Sequence, residues 1–122
     1  MKSRSDYIIL VGSNMFLNLN IIEYIKKYDQ LDFIVVNSIK TLQEIIRKES
    51  VILVIFDLSE LSEWKEVMEV IGKYKDISFI VLVPGSIKKE DLYPNVVTME
   101  KPFDLKDLLN QVSKYHQERR EA

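Results

Sequence analysis

The chain has 122 residues, 47% of them hydrophobic and 30% charged, which suits one domain around one sizeable core. Its formal net charge of -2, with acids and bases interspersed, gives no basic surface for nucleic acid or a membrane. With no cysteine and a single histidine, His116, a disulfide framework, a thiolate nucleophile, a Cys zinc site and a His pair for a metal are all excluded. The longest apolar runs are too short for a signal peptide or a membrane span, so the expectation is one cytoplasmic domain over residues 1–122.

The first apolar run, "YIILV" (7–11), reads as a strand and ends in Gly12, Ser13 and Asn14. Ile21, Ile22 and Ile25 then mark a helix, and "DFIVV" (32–36) a second strand. A second helix carries Ile39, Leu42, Ile45 and Ile46, with Ser38 as its N-cap. "VILVIF" (51–56) predicts a strand buried on both faces, closed by Asp57. Leu61, Trp64, Val67, Met68 and Ile71 fall at three- and four-residue spacing and predict a third helix, on which Trp64 and Met68 read as core. "FIVLV" (79–83) is the second doubly buried strand and "NVVTM" (95–99) the fifth. Between them "PGSIKKEDLYP" leaves room for a helix of about two turns at most. Leu105, Leu108, Leu109 and Val112 mark the last helix, capped by Asp104.

Repeated βα units with short connections imply a doubly wound α/β fold, a five-stranded parallel sheet with helices on both faces. Chemistry in such folds sits at the carboxyl ends of the strands. Those ends carry Gly12, Ser13 and Asn14; Asp57; Val83 and Pro84; and Lys101 and Pro102. One acid and one base therefore converge among otherwise unreactive residues.

Over nearly its whole length the chain resembles the receiver domains of bacterial response regulators. The resemblance rests on "VILVIFDL", with Asp57 closing the third strand, and on "EKPFDLKDLL", with Lys101, Pro102 and Phe103 opening the last helix. It implies the flavodoxin-like receiver topology, strand order 2-1-3-4-5, here with a shortened fourth helix, and a cis peptide before Pro102. It also implies a site. Asp57 takes the phosphoacceptor position and Lys101 the phosphate-contact position. The acidic pair that holds a divalent metal in the family falls at Gly12 and Ser13. The switch hydroxyl falls at Val83 and the switch aromatic at Thr98.

Neither Gly12 nor Ser13 supplies a charged ligand, whereas Mg²⁺ commonly takes one or two carboxylates besides phosphate oxygens. Val83 cannot hydrogen-bond an oxyanion, and a ligand without differential contacts moves no equilibrium. The expectation is a non-enzymatic signalling module of two-component (phosphorelay) type, a pseudo-receiver that works by protein–protein contact. Its partner would be a signalling protein or a histidine kinase, with no nucleic acid and no membrane; a homodimer is compatible with the sequence. No cofactor is expected, and Mg²⁺ only if the phosphoacceptor site works. By family analogy the last helix and fifth strand form the contact surface, with Phe103 and Tyr115 in it. Glu60 is a substitute metal ligand to test. The alternatives are a conventional receiver phosphorylated on Asp57 by a histidine kinase and, with less support, a flavin- or nucleotide-binding enzyme using the "VGSN" turn.

Overall fold

A computed structural model of the chain describes residues 6–28, 31–85 and 93–121. Strands β1 (Asp6–Val11), β2 (Asp32–Val36), β3 (Ser50–Asp57), β4 (Ser78–Val83) and β5 (Val96–Glu100) form one parallel sheet in the order β2-β1-β3-β4-β5. The helices are α1 (Met15–Lys26), α2 (Ile39–Lys48), α3 (Trp64–Lys73) and α4 (Leu105–Glu121). This is the predicted doubly wound topology. The shortened helix expected before β5 falls on residues 86–92, outside the described residues.

Alternation along the strands splits the core into two layers. Ile9, Val11, Val54, Phe56, Phe79 and Val81 join Leu42 of α2 and Val67, Val70 and Ile71 of α3. Ile8, Leu10, Leu53, Ile55, Ile80 and Leu82 join Ile21 and Ile25 of α1 and Leu108 and Val112 of α4. Covered on both sides, β3 and β4 need no polar face, which is why their sequences are continuous apolar runs. Each fully buried side chain of this kind stabilises the fold by about 1.5–3 kcal/mol. One register shift interrupts the pattern: Tyr7 pairs with Val51 but Ile8 with Leu53, so Ile52 is an added residue.

Side-chain caps fix where the helices begin. Asn14 Oδ1 accepts from the Leu17 amide at 3.1 Å, Ser38 Oγ from Thr41 at 3.2 Å, and Asp104 Oδ1 from Lys106 at 2.9 Å. The third helix starts later than its apolar spacing predicts. Leu61–Glu63 is a 3₁₀ turn, and the Glu63 carboxylate accepts from the amides of Ser59 and Glu60, both at 2.9 Å. Leu61 is correspondingly exposed rather than packed. Trp64 and Met68 are half-buried against the α2–α3 layer, as expected of core residues.

Candidate functional site

The reversal of strand order between β1 and β3 opens a crevice at the carboxyl ends of the sheet. A cleft of about 270 Å³ lies there, lined by Gly12, Ser13, Ser38, Asp57, Ser59 and Glu66 among others. Asp57 is the last residue of β3, and the following amide, Leu58 N, continues the ladder to Leu82 O at 3.0 Å. Lys101 comes just after β5, where its amide bonds Val83 O at 2.8 Å. The backbone pairing of neighbouring strands therefore sets acid and base side by side.

The Lys101 ammonium forms an ion pair with Asp57 Oδ1 and donates to Leu58 O at 2.8 Å. The Asp57 side chain is 4% exposed and that of Lys101 26%, so the base reaches water and the acid barely does. The Lys101–Pro102 peptide is cis.

Gly12 packs directly on the acid. A Cβ placed on it would lie 3.0 Å from Asp57 Cβ, 3.4 Å from Asp57 Oδ2 and 3.6 Å from Asn18 Oδ1. Asn18 is the site residue that sequence reasoning missed. It is 3% exposed; its Nδ2 donates to Gly12 O at 3.2 Å, while its buried Oδ1 has no hydrogen-bond partner among the described residues. A signal was there to find: Asn18 precedes Ile21 and Ile25 by three and seven residues, so a polar side chain interrupts the buried stripe of α1.

The remaining expected positions are not drawn into this cluster. Ser13 is exposed at the cleft rim. Val83 is fully buried in the α2–α3 core layer, and Thr98 on edge strand β5 is half-buried. Glu60 is exposed and accepts from Ser62 Oγ at 3.2 Å; Glu63 and Glu66, not Glu60, line the cleft. Phe103 and Tyr115 are half-buried against the α1–α4 core layer. A groove of about 280 Å³ runs beside the site between α1 and the segment before α4, lined by Leu17, Asn20, Lys101, Pro102, Phe103 and Leu105. On the outer face of α1 Met15, Phe16 and Leu19 are exposed, Phe16 at 83%, and Met15 also lines a separate cleft with Val35 and Val36.

No protein-family model and no curated protein matches the chain. Solved structures do. The signal receiver domain of a protein described as a LuxO repressor, from Vibrio parahaemolyticus, superposes with a TM-score of 0.73 at 21% identity, covering 95% of this chain and 92% of that one. The signal receiver domain of an HD domain-containing protein from Pseudomonas fluorescens gives 0.71 at 16% identity, covering 98% and 100%. The receiver domain of Ssk1 from Saccharomyces cerevisiae, crystallised with the histidine phosphotransfer protein Ypd1, gives 0.64 at 13%, covering 92% and 89%. The chain has the fold of a response regulator receiver domain.

The metal that the resemblance implies does not fit the groups present. Asp57 is the single carboxylate of the cluster, and the Lys101 ammonium already neutralises it. Among the described residues no group of three or more His, Cys, Asp or Glu side chains is placed to hold a metal ion.

Proposed function

We propose that this chain is a receiver-like signalling module of two-component type that acts by protein–protein contact, with Asp57 serving the fold rather than metal-dependent phosphoryl acceptance. One observation carries the reading: Gly12 packs on Asp57 where the family's metal-holding acid would stand, and a Cβ there would lie 3.0 Å from Asp57 Cβ. Phosphoryl transfer relies on positioning and on counter-charge for the equatorial oxygens. Here the counter-charge is committed to Asp57 itself, no acid stands at Gly12 or Ser13, and Val83 offers no hydroxyl. The module is not an enzyme in this reading, and the "VGSN" turn holds no flavin. Asn14 caps α1, and Gly12 is a glycine because Asp57 leaves its Cβ no room.

The contact surface is the outer face of α1, where Met15, Phe16 and Leu19 are exposed. Isolated apolar residues on a surface need no explanation, but three on one face of one helix favour an interaction site. This moves the surface from the α4–β5 face expected from the sequence towards α1. The Ssk1 receiver, which shares the fold, was crystallised with a phosphotransfer protein, and a signalling protein of that kind is the partner proposed here. Among the described residues no helix is long and apolar enough to cross a membrane.

A second reading has one observation in its favour: Asp57 and Lys101 meet at the strand ends, as a working receiver requires. Titration with Mg²⁺ and beryllofluoride, which together mimic an acyl phosphate, followed by amide chemical shifts, separates the two. The adaptor gives a flat titration. Saturating shifts around Asp57 and Lys101, lost in Asp57→Asn, would establish the phosphoacceptor instead.

A further inference from the structure

We propose that the outer edge of β2 pairs antiparallel with β2 of a second copy of this chain, joining two five-stranded sheets into one across a two-fold axis. The dimer does not depend on whether Asp57 accepts a phosphoryl group.

β2 closes one side of the sheet and, among the described residues, pairs only with β1. Val36 O accepts from Gly12 N at 3.0 Å, which turns the backbone N–H and C=O of Val36, and by alternation those of Ile34, towards β1. The same alternation turns those of Phe33 and Val35 outward, where no described strand meets them. Edge strands are usually blunted by a bulge, a proline or a charge that blocks further pairing. "DFIVV" has none of these after Asp32, and its register with β1 is unbroken. Its side chains are apolar and incompletely covered: Val35 is 43% exposed, and Phe33 and Ile34 are half-buried. The opposite edge, β5, differs, because its one exposed side chain is the charged Glu100.

A second copy is the occupant because the strand complements itself. A two-fold axis at Ile34 pairs every residue of β2, Asp32 with Val36 and Phe33 with Val35, and sets outward-facing groups against outward-facing groups. Phe33 and Val35 then exchange both of their N–H···O bonds across the seam. On the α1 side of the sheet each exposed Val35 meets a Phe33 of the other copy, a favourable aromatic–β-branched pair. Asp32, the only charge of the strand, ends about 13 Å from its mate, beyond the screening length of about 8–10 Å. Parallel pairing in register would instead set the two carboxylates side by side. Met15 lines a cleft with Val35, and Leu19 and Ile22 follow it at helical spacing, so this side of α1 is drawn over the seam. Phe16 lies about 100° further round the helix and stays free for the partner proposed above. Each copy covers the β2 edge of the other, so the assembly closes at two.

Sedimentation velocity of the full chain from micromolar to millimolar concentration, combined with amide hydrogen exchange, tests the dimer. Expected is a monomer–dimer equilibrium in which protection of the Phe33 and Val35 amides rises with concentration. Val35→Pro removes an outward donor and spares the ladder to β1, so the dimer dissociation constant should rise by about tenfold or more. Val35→Lys, at the same exposed position, should do likewise and serves if Val35→Pro fails to fold. The chain has no cysteine, so single introduced thiols read the register. Ile34→Cys sits on the axis, where opposed Cα atoms are about 4.5 Å apart, and should give an intermolecular disulfide on oxidation. Val35→Cys, whose mate lies beyond the roughly 7 Å limit, should not. A native chain that stays monomeric to millimolar concentration overturns the proposal and leaves the edge to a foreign strand. A dimer that survives both Val35→Pro and Val35→Lys, or that crosslinks equally through Ile34→Cys and Val35→Cys, overturns it as well. Phe16→Ser should leave dimerisation unchanged, so failure of the dimer and failure of the partner reading are told apart.

Discussion

The two charges of the site differ in their access to water, the Asp57 side chain being 4% exposed and that of Lys101 26%. That difference makes their removal unequal. Lys101→Met strands a buried carboxylate, and breaking a buried pair in this way costs about 3–5 kcal/mol, with the lower end expected at the edge of a cleft. Asp57→Asn leaves an ammonium that reaches solvent and still donates to Leu58 O, so about 1 kcal/mol is expected. Urea unfolding of the two variants checks the order; an equal or reversed cost would mean that burial does not govern the pair. Gly12→Ala adds a methyl carbon 3.0 Å from Asp57 Cβ, closer than packed carbons sit. Overpacking of that kind destabilises by about 1–3 kcal/mol, read from the same unfolding curves. The same crowding applies to a carboxylate at position 12. An acidic pair placed at Gly12 and Ser13 would therefore crowd Asp57 sterically from position 12 and oppose it by like charge.

Among the elements, α1 carries the most information about the site. Its N-cap is Asn14, and Asn14→Ala should cost about 1 kcal/mol, seen as a lower melting temperature with the fold retained. The pKa of Tyr24 on this helix is raised above its ordinary value of 10.0, by desolvation first and then by the charges of Tyr28 and Asp104. The folded chain thus holds the phenol proton more tightly than the unfolded chain does. Stability is undiminished below pH 10.0 and falls as the pH rises through the raised value. A spectrophotometric phenolate titration should show a late-ionising tyrosine component that is reduced in Tyr24→Phe. Element by element, the sequence was most readable where one physical rule acts alone. The runs that became β3 and β4 are apolar throughout because both faces are covered, and Ser38 and Asp104 cap as their types predict. It was least readable where neighbours compete. Leu61 matched helical spacing, but the Glu63 carboxylate gathers the Ser59 and Glu60 amides into a tighter turn and leaves Leu61 outside. At the site, Asp57 and Lys101 stood out because strand ends are where charge is placed. Asn18 did not, because its role depends on a glycine six residues away and an acid on another strand.

For the molecule as a whole, one sheet serves two core layers, and this governs how it comes apart. Phe56 and Phe79 stack on one face of β3 and β4 with ring centroids 6.0 Å apart, while Ile55 and Ile80 fill the opposite face of the same strands. Loss of either layer uncovers strands whose other face is still apolar, so neither layer is stable alone. Unfolding should therefore be a single cooperative transition. The one tryptophan, Trp64, reports the α2–α3 layer, and far-UV circular dichroism reports the helices of both layers. In urea the two signals should share one midpoint, with a slope of about 1–2 kcal/mol/M for a chain of this size. A tryptophan transition that precedes or follows the dichroism would show that one layer opens by itself. That outcome bears on function, because an element able to shift alone is what a switch needs, and an adaptor that presents a fixed face on α1 needs none. Phe16→Ser tests that face independently. The side chain is 83% exposed, so its loss should leave the unfolding free energy within about 0.5 kcal/mol of the parent while weakening capture of a phosphotransfer-type partner. Retained partner binding would move the interaction surface away from α1.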